Sequence, residues 1–213
     1  SKRDRYLQRH TYKVTYEETG NELIATLKEI EVIQLNKPKC NNRNMHNISE
    51  IVYILSSHYN LQGYLCFSIE LLATQKEIIT TFETQSQAKS FLKKITSEFE
   101  LNEVDFNGEP VEIYNTRANK VLTKYGFWHQ NIAIVDKGRR VGEKSIILLV
   151  EGQIKGYGFF NLNYQLTQLG FLENIITPLP NTLINRHLLD QYLRTHPYIK
   201  VLNLKEQKPF HNE

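Results

Sequence analysis

The sequence predicts an α+β fold, and three observations carry that expectation. Two stretches show sharp helical periodicity with start and stop signals, at residues 84–99 and 110–126. Several short stretches alternate apolar and polar residues as strands do, among them Tyr64–Ile69 and Gln153–Phe160. Strand and helix signals do not follow a regular βαβ order, which argues against a parallel doubly wound sheet.

Taken in order, residues 2–10 read as the end of a helix, and Tyr12–Tyr16 alternates as a strand. Thr19 and Glu22 form a T-x-x-E capping box. Leu23, Leu27, Ile30 and Ile33 then recur at helical spacing, predicting a helix over 20–35. Pro38 stops it, because the residue before a proline avoids the helical region. Asn41–Asn47 is polar and loop-like. Ile51–Leu55 and Tyr64–Ile69 read as strands joined through Ser56–Gly63, and Ile78–Phe82 as a third.

Thr84 and Gln87 make a second capping box, followed by the stripe Ala88, Phe91, Leu92, Ile95, Phe99. Pro110 opens the next helix, Val111, Tyr114, Ala118, Val121, Leu122 and Tyr125 line it, and Gly126 ends it. Ile132–Val135 is a strand. Ser145–Val150 and Gln153–Phe160 pair as a hairpin across Glu151-Gly152. Gly156 and Gly158 predict close backbone packing or a bulge within that strand. Asn181 caps a helix carrying Ile184, Leu188, Tyr192 and Leu193, Pro197 terminates it, and Tyr198–Leu204 is a last strand.

With 213 residues, 40% hydrophobic and 23% charged, the chain can bury one core or two small ones. Its longest apolar runs are too short to span a bilayer, so no membrane partner is expected and a cytoplasmic location is the default. Cys40 and Cys66 make neither a disulfide framework nor a zinc motif. The seven histidines are scattered, and His187 reads as a core histidine on the last helix. A net charge of +3 is weak, but its distribution is uneven. Lys2, Arg3, Arg5, Arg9 and Lys13 crowd the start, Lys37, Lys39 and Arg43 flank Asn41, and Lys137, Arg139 and Arg140 form a third cluster. Such clusters suit a phosphate backbone, for which affinity is largely electrostatic; a Lys-Gly-Arg-Arg run is equally a plain turn. Tyr157, Phe159, Phe160 and Tyr164 could stack unpaired bases, although alternation splits them between two faces.

The pattern E-L-I-A-x-L-x-E-x-x-x-I-x-x-x-K-P-x-x-N, from Glu22 to Asn41, resembles the closing segment of GIY-YIG nuclease domains of the UvrC type. It is more similar still to bacterial proteins that fuse a proofreading-type exonuclease to such a module. Ile79–Phe82 with Ala88–Leu92, Glu112–Asn115 with Arg117, Ile134–Arg139 and Lys155–Phe160 extend the resemblance along most of the chain. The resemblance implies a truncated GIY-YIG-like α/β remnant at 1–47, a UvrC-like linker region with two helices at 48–126, and a mixed α+β accessory domain at 127–213.

It also implies a site. Glu29 takes the place of the glutamate that holds the catalytic metal, Mg²⁺ or Mn²⁺, and Asn41 that of the supporting asparagine. The implied partner is DNA, contacted by Lys2, Arg3, Arg5, Arg9, Lys39, Arg43, Lys137, Arg139 and Arg140, with an exonuclease or repair protein alongside. The expectation is a DNA-repair or DNA-processing endonuclease fragment; a non-catalytic nucleic-acid-binding or protein-docking module is the alternative. Two departures matter. No GIY…YIG pair and no tyrosine-then-arginine arrangement precedes Glu29, so this chain alone should cut DNA poorly or not at all. The stretch Glu100–Gly108 also lacks the cysteine cluster of UvrC-like relatives.

Overall fold

The computed structural model describes residues 2–40, 53–72, 78–101, 108–127, 130–161 and 169–204. Helix α1 spans Lys2–His10 and α2 Glu22–Asn36. Strands β1 (Tyr53–Tyr59), β2 (Leu65–Leu71) and β3 (Ile78–Phe82) precede α3 (Gln85–Glu98) and α4 (Val111–Tyr125). Then come β4 (Ile132–Lys137), β5 (Lys144–Val150), β6 (Gln153–Phe160), α5 (Leu169–Ile175), β7 (Ile176–Pro178), α6 (Leu183–Thr195) and β8 (Lys200–Asn203). The described residues form two antiparallel sheets, one in the order β2-β1-β3 and one in the order β7-β6-β5-β4-β8. The α+β class expected from the sequence is the class observed.

The first sheet packs against α3 and α4. Leu55, Phe67, Ile79, Ala88, Phe91, Ile95, Tyr114, Ala118 and Val121 make one continuous core. Both helices behave as their stripes predict. Thr84 and Gln87 form the reciprocal capping box, with Thr84 Oγ1 accepting from the Gln87 amide at 3.3 Å. Pro110 sits one position earlier than expected, at the N-cap, and Gly126 closes α4.

The second core departs from chain order. Leu23, Ile24 and Leu27 of α2 pack with Ile132, Ile134, Ile147, Leu149, Tyr157 and Leu189. The helix of the 1–47 stretch is therefore built into the sheet of the 127–213 stretch, and the two share one core. The opposite face of that sheet buries Ala133, Val135, Ile146, Leu148 and Phe160 against Leu172 of α5. Tyr157 and Phe160 thus lie on different faces, as alternation requires.

The β5–β6 hairpin turns at Glu151-Gly152, both left-handed at φ 51° and 67°, as a two-residue primed turn needs. A register shift follows at Leu148/Leu149. Gly156 and Gly158 are glycines for want of room: a Cβ on either would lie 2.2 Å from the Thr177 carbonyl oxygen or 2.6 Å from that of Ile175. These glycines let β7 close on the sheet edge.

Several expectations need correction. Tyr12–Tyr16 forms no strand; Tyr12, Val14 and Tyr16 are 99%, 85% and 91% exposed. Alternation specifies a strand only where a neighbour supplies backbone partners and covers one face. The cap of α2 is Asn21 rather than Thr19, and that of α6 is Thr182 rather than Asn181. In both cases tertiary contacts decide. Asn21 Oδ1 accepts from the Ile24 amide at 3.0 Å, while its Nδ2 donates to the Lys137 carbonyl and to Ser145 Oγ. Asn181 Oδ1 instead accepts from the Ile154 amide of β6. The first strand extends further than predicted, to Tyr59, and the turn tightens to Asn60–Tyr64. The loop predicted at Asn41–Asn47 lies outside the described residues.

Candidate functional site

Helix α2 carries Glu29 at the border of its buried stripe, on the exposed side. Glu22 is exposed as well, on nearly the same side. Seven residues of α-helix rise about 10 Å, so the two carboxylates cannot chelate one ion. A single carboxylate such as that of Glu29 holds a hard divalent cation only with water and phosphate oxygens in the remaining positions. Asn41 lies outside the described residues. Among the described residues no three His, Cys, Asp or Glu side chains cluster as metal ligands.

The three basic clusters differ in kind. In α1, Lys2, Arg3, Arg5 and Arg9 are all exposed and the helix buries no residue. Lys39 is exposed in the turn after α2, and Arg43 lies outside the described residues. The third cluster is a turn joining β4 to β5. Arg139 donates to Glu143 Oε1 at 2.7 Å and lies 4.1 Å from the centre of the Phe159 ring. Hydrogen bonding from Arg139 holds the Glu143 carboxyl well below its usual range, at about 2. A Cβ at Gly20 would stand 2.4 Å from the Gly138 carbonyl carbon, and Asn21 ties Lys137 to the start of α2. Lys137–Arg140 is thus a structural clasp for α2, with Arg140 exposed beside it.

A site that periodicity did not reveal lies where the two sheets meet. Helix α6 packs its Asn185–Arg194 face against β3, and this contact traps polar groups. Thr81 Oγ1 and His187 Nδ1 are 2.8 Å apart. Arg194 donates to Thr80 Oγ1, and its guanidinium stands 4.7 Å from the centre of the Phe82 ring. Asp190 is 3% exposed; its carboxyl takes hydrogen bonds from the Thr80 side chain and the Thr81 backbone. Its Oδ2 has no hydrogen-bond partner among the described residues, nor has His187 Nε2, which sits 3.6 Å from Glu83 Oε1.

Burial pushes the Asp190 carboxyl up to about 8, against the opposing pull of Arg194. Burial, and then the Arg194 charge, lower His187. Burial therefore favours the neutral form of both groups. The expectation that His187 is a core histidine is met in its burial, with one of its two nitrogens bonded.

Two hollows open on either side of Arg194. One, of about 360 Å³, is lined by Thr80, Lys94, Lys124, Tyr125, Phe127 and Asp190 among others. The other, of about 400 Å³, is lined by Glu83, Phe91, Lys94, His187 and Arg194 among others. Lys124 also pairs with Glu98, whose carboxyl it lowers.

Comparison with protein-family models, curated protein sequences and solved structures finds no match to this chain. Among the described residues no helix is long and apolar enough to cross a membrane.

The expected site residues are spread over several elements, and the 137–140 turn is tied to the start of the helix that carries Glu29 through Asn21. Glu29, α1, Lys39 and the 137–140 turn lie on separate elements, and Asn41 and Arg43 are not described. The cleft residues were missed because Asp190 and Arg194 sit four apart on an amphipathic helix, the spacing of an ordinary surface ion pair. The one available signal was His187 on the same helix, already read as buried.

Proposed function

We propose that this chain is the DNA-contacting part of a UvrC-like GIY-YIG DNA-processing protein, with 1–47 the closing portion of a truncated nuclease domain. The single observation that carries the reading is the Glu22–Asn41 sequence pattern, whose first fifteen residues form α2, joined to an entirely exposed α1 bearing Lys2, Arg3, Arg5 and Arg9 against Asp4. Guanidinium and ammonium groups on such a helix neutralise phosphates and release counterions.

Glu29 would hold a Mg²⁺- or Mn²⁺-type ion, which, when bound, stabilises charge developing on a phosphodiester in transfer to water. With no GIY…YIG pair in the sequence and no cluster of metal ligands around Glu29 among the described residues, positioning of water and phosphate is incomplete. Cutting by this chain alone is therefore expected to be weak or nil.

A second reading, a non-catalytic nucleic-acid-binding module, is favoured by one observation. The helix that carries Glu29 shares its core with β4–β6 and α6, so it persists as structure whether or not it serves chemistry.

Duplex binding titrated against salt tests the common ground. Binding should weaken steeply between 50 and 200 mM salt. The double variant Arg3→Glu, Arg5→Glu should lower affinity at least tenfold and flatten the salt slope by about two. Salt-independent binding, or none, overturns the reading. Plasmid nicking with Mg²⁺ or Mn²⁺ then separates the two versions: cutting that Glu29→Ala abolishes supports a nuclease, and its absence the binding module.

A further inference from the structure

The cleft between the two sheets has no role in that reading, and its composition is unusual enough to carry one. Among the residues that line it is a buried carboxyl, Asp190, whose Oδ2 is closed to solvent and has no hydrogen-bond partner among the described residues. Leaving a buried polar atom unsatisfied costs about 1–3 kcal/mol, so such an atom at a cleft calls for a partner, whether a water, an ion or a ligand. Two parts of the chain supply its walls: Tyr125 and Phe127 at the end of α4, and Leu193 and Ile199 of α6 and the segment before β8. Lys94 and Lys124 line it as well, Lys124 being paired with Glu98, with Arg194 beside Asp190. The volume, about 360 Å³, falls within the range of about 300–1,000 Å³ usual for small-ligand sites.

The three kinds of lining call for one kind of ligand. It needs an anionic end for Lys94 and Lys124, apolar faces for the aromatic and aliphatic walls, and a hydrogen-bonding edge for the carboxyl. Asp190 accepts from an N–H when ionised and donates to a ring nitrogen or carbonyl when protonated. An amine or a simple sugar phosphate meets only part of this. A nucleotide meets all of it: its phosphate is the anion, its base edge carries donors and acceptors side by side, and its base faces stack on aromatic rings.

We propose that the cleft binds an unpaired nucleotide, with the base directed to Asp190 and the phosphate to Lys94 and Lys124. The inference rests on the nucleic-acid reading only for the source of the nucleotide, a single strand rather than a free nucleoside phosphate. Exposed cations of α1 would then hold backbone while the cleft holds a base, a division between positioning and reading that nucleic-acid interfaces commonly show.

The test compares a single-stranded DNA decamer with an abasic decamer of equal phosphate number, with the four free deoxynucleoside 5′-monophosphates as a third arm. Binding is measured to the full chain and to three variants. Asp190→Val removes the carboxyl. Thr123→Trp, at an exposed position lining the cleft, fills it without entering either core. Lys94→Glu reverses one phosphate contact.

The base-bearing decamer should bind about tenfold or more tightly than the abasic one, the worth of one stacked and hydrogen-bonded base. That preference should vanish in Asp190→Val and Thr123→Trp, while Lys94→Glu weakens both decamers. If Asp190→Val fails to fold, Thr123→Trp decides. Equal affinity for the two decamers, or a preference that survives a filled cleft, overturns the proposal, even if salt-dependent duplex binding persists. If neither decamer binds, the DNA-contacting reading fails and the free nucleotides decide the cleft: binding lost in Thr123→Trp sustains it, and no binding ends it.

Discussion

Helices α2 and α6 pack beside one another on the same sheet, and each carries an acid that invites a functional reading. Glu29 on α2 faces solvent; Asp190 on α6 faces β3 of the other sheet and is 3% exposed. The difference comes from what lies beyond each helix. One side of α2 meets the sheet and the other meets water, so Glu22 and Glu29 stay exposed. Helix α6 is covered on two sides, by its own sheet through Leu189 and by β3 through His187, Asp190 and Arg194. Polar residues on its second side are largely withdrawn from water and take their hydrogen bonds from β3.

The largest effect expected from this contrast is on the buried face of α2. Leu27 is 1% exposed within the core shared with Ile132 and Leu149. Leu27→Ala should cost about 2–5 kcal/mol, lowering the melting temperature by roughly 5–15 °C. A smaller loss, below about 1 kcal/mol, would mean that α2 is not part of that core.

The next effect is on pH dependence. Asp190 is raised from its ordinary carboxyl range to about 8 by burial. Between about pH 4 and 8 the folded state therefore keeps a proton that the unfolded chain has released. Folding stability contributed by this group is full below pH 4 and is lost as pH rises through 8, at no more than about 1.4 kcal/mol per pH unit. His187 acts in the opposite sense: its lowered pKa means the unfolded chain binds the proton first, so stability falls with acid below about pH 6.5. Asp190→Asn, an isostere of the neutral acid, should abolish the decline on the alkaline side and make the protein more stable than the parent at pH 8. Chemical denaturation at pH 5, 6.5 and 8 measures this. A decline from pH 6.5 to 8 that is unchanged in Asp190→Asn would place the responsible proton elsewhere.

What the sequence made legible follows the same line. Elements with one dry side and one wet side were readable: α3 from its capping box, α4 from Pro110 and Gly126, the hairpin from Glu151-Gly152, and the crowding at Gly156 and Gly158. Errors fell where a second neighbour intervenes or is missing. Thr19 and Asn21 are both sound caps in isolation; Asn21 wins because Lys137 and Ser145, more than a hundred residues away, occupy its amide. Tyr12–Tyr16 alternates as a strand should, but no neighbouring strand pairs with it among the described residues. Segments α5 and β7, seven and three residues long, are too short for periodicity to register. The cleft depends on which face of α6 meets β3, a property of two segments a hundred residues apart.

The smallest expected effect is at Glu29, and it sharpens the contrast most. An exposed helix residue at the margin of a stripe contributes little to folding, so Glu29→Ala should move the melting temperature by less than about 2 °C. Binding should separate in the same way. Removing one acid beside a phosphate-binding surface leaves DNA affinity unchanged or slightly raised in the absence of divalent metal, since a repulsive charge is lost. With Mg²⁺ or Mn²⁺ present the sign reverses if Glu29 holds the ion, because the parent then gains a bridging cation that the variant lacks. Duplex affinity measured with and without the metal, for parent and variant, reads that reversal directly. Identical metal dependence in the two proteins would leave Glu29 as the solvated border of an amphipathic helix.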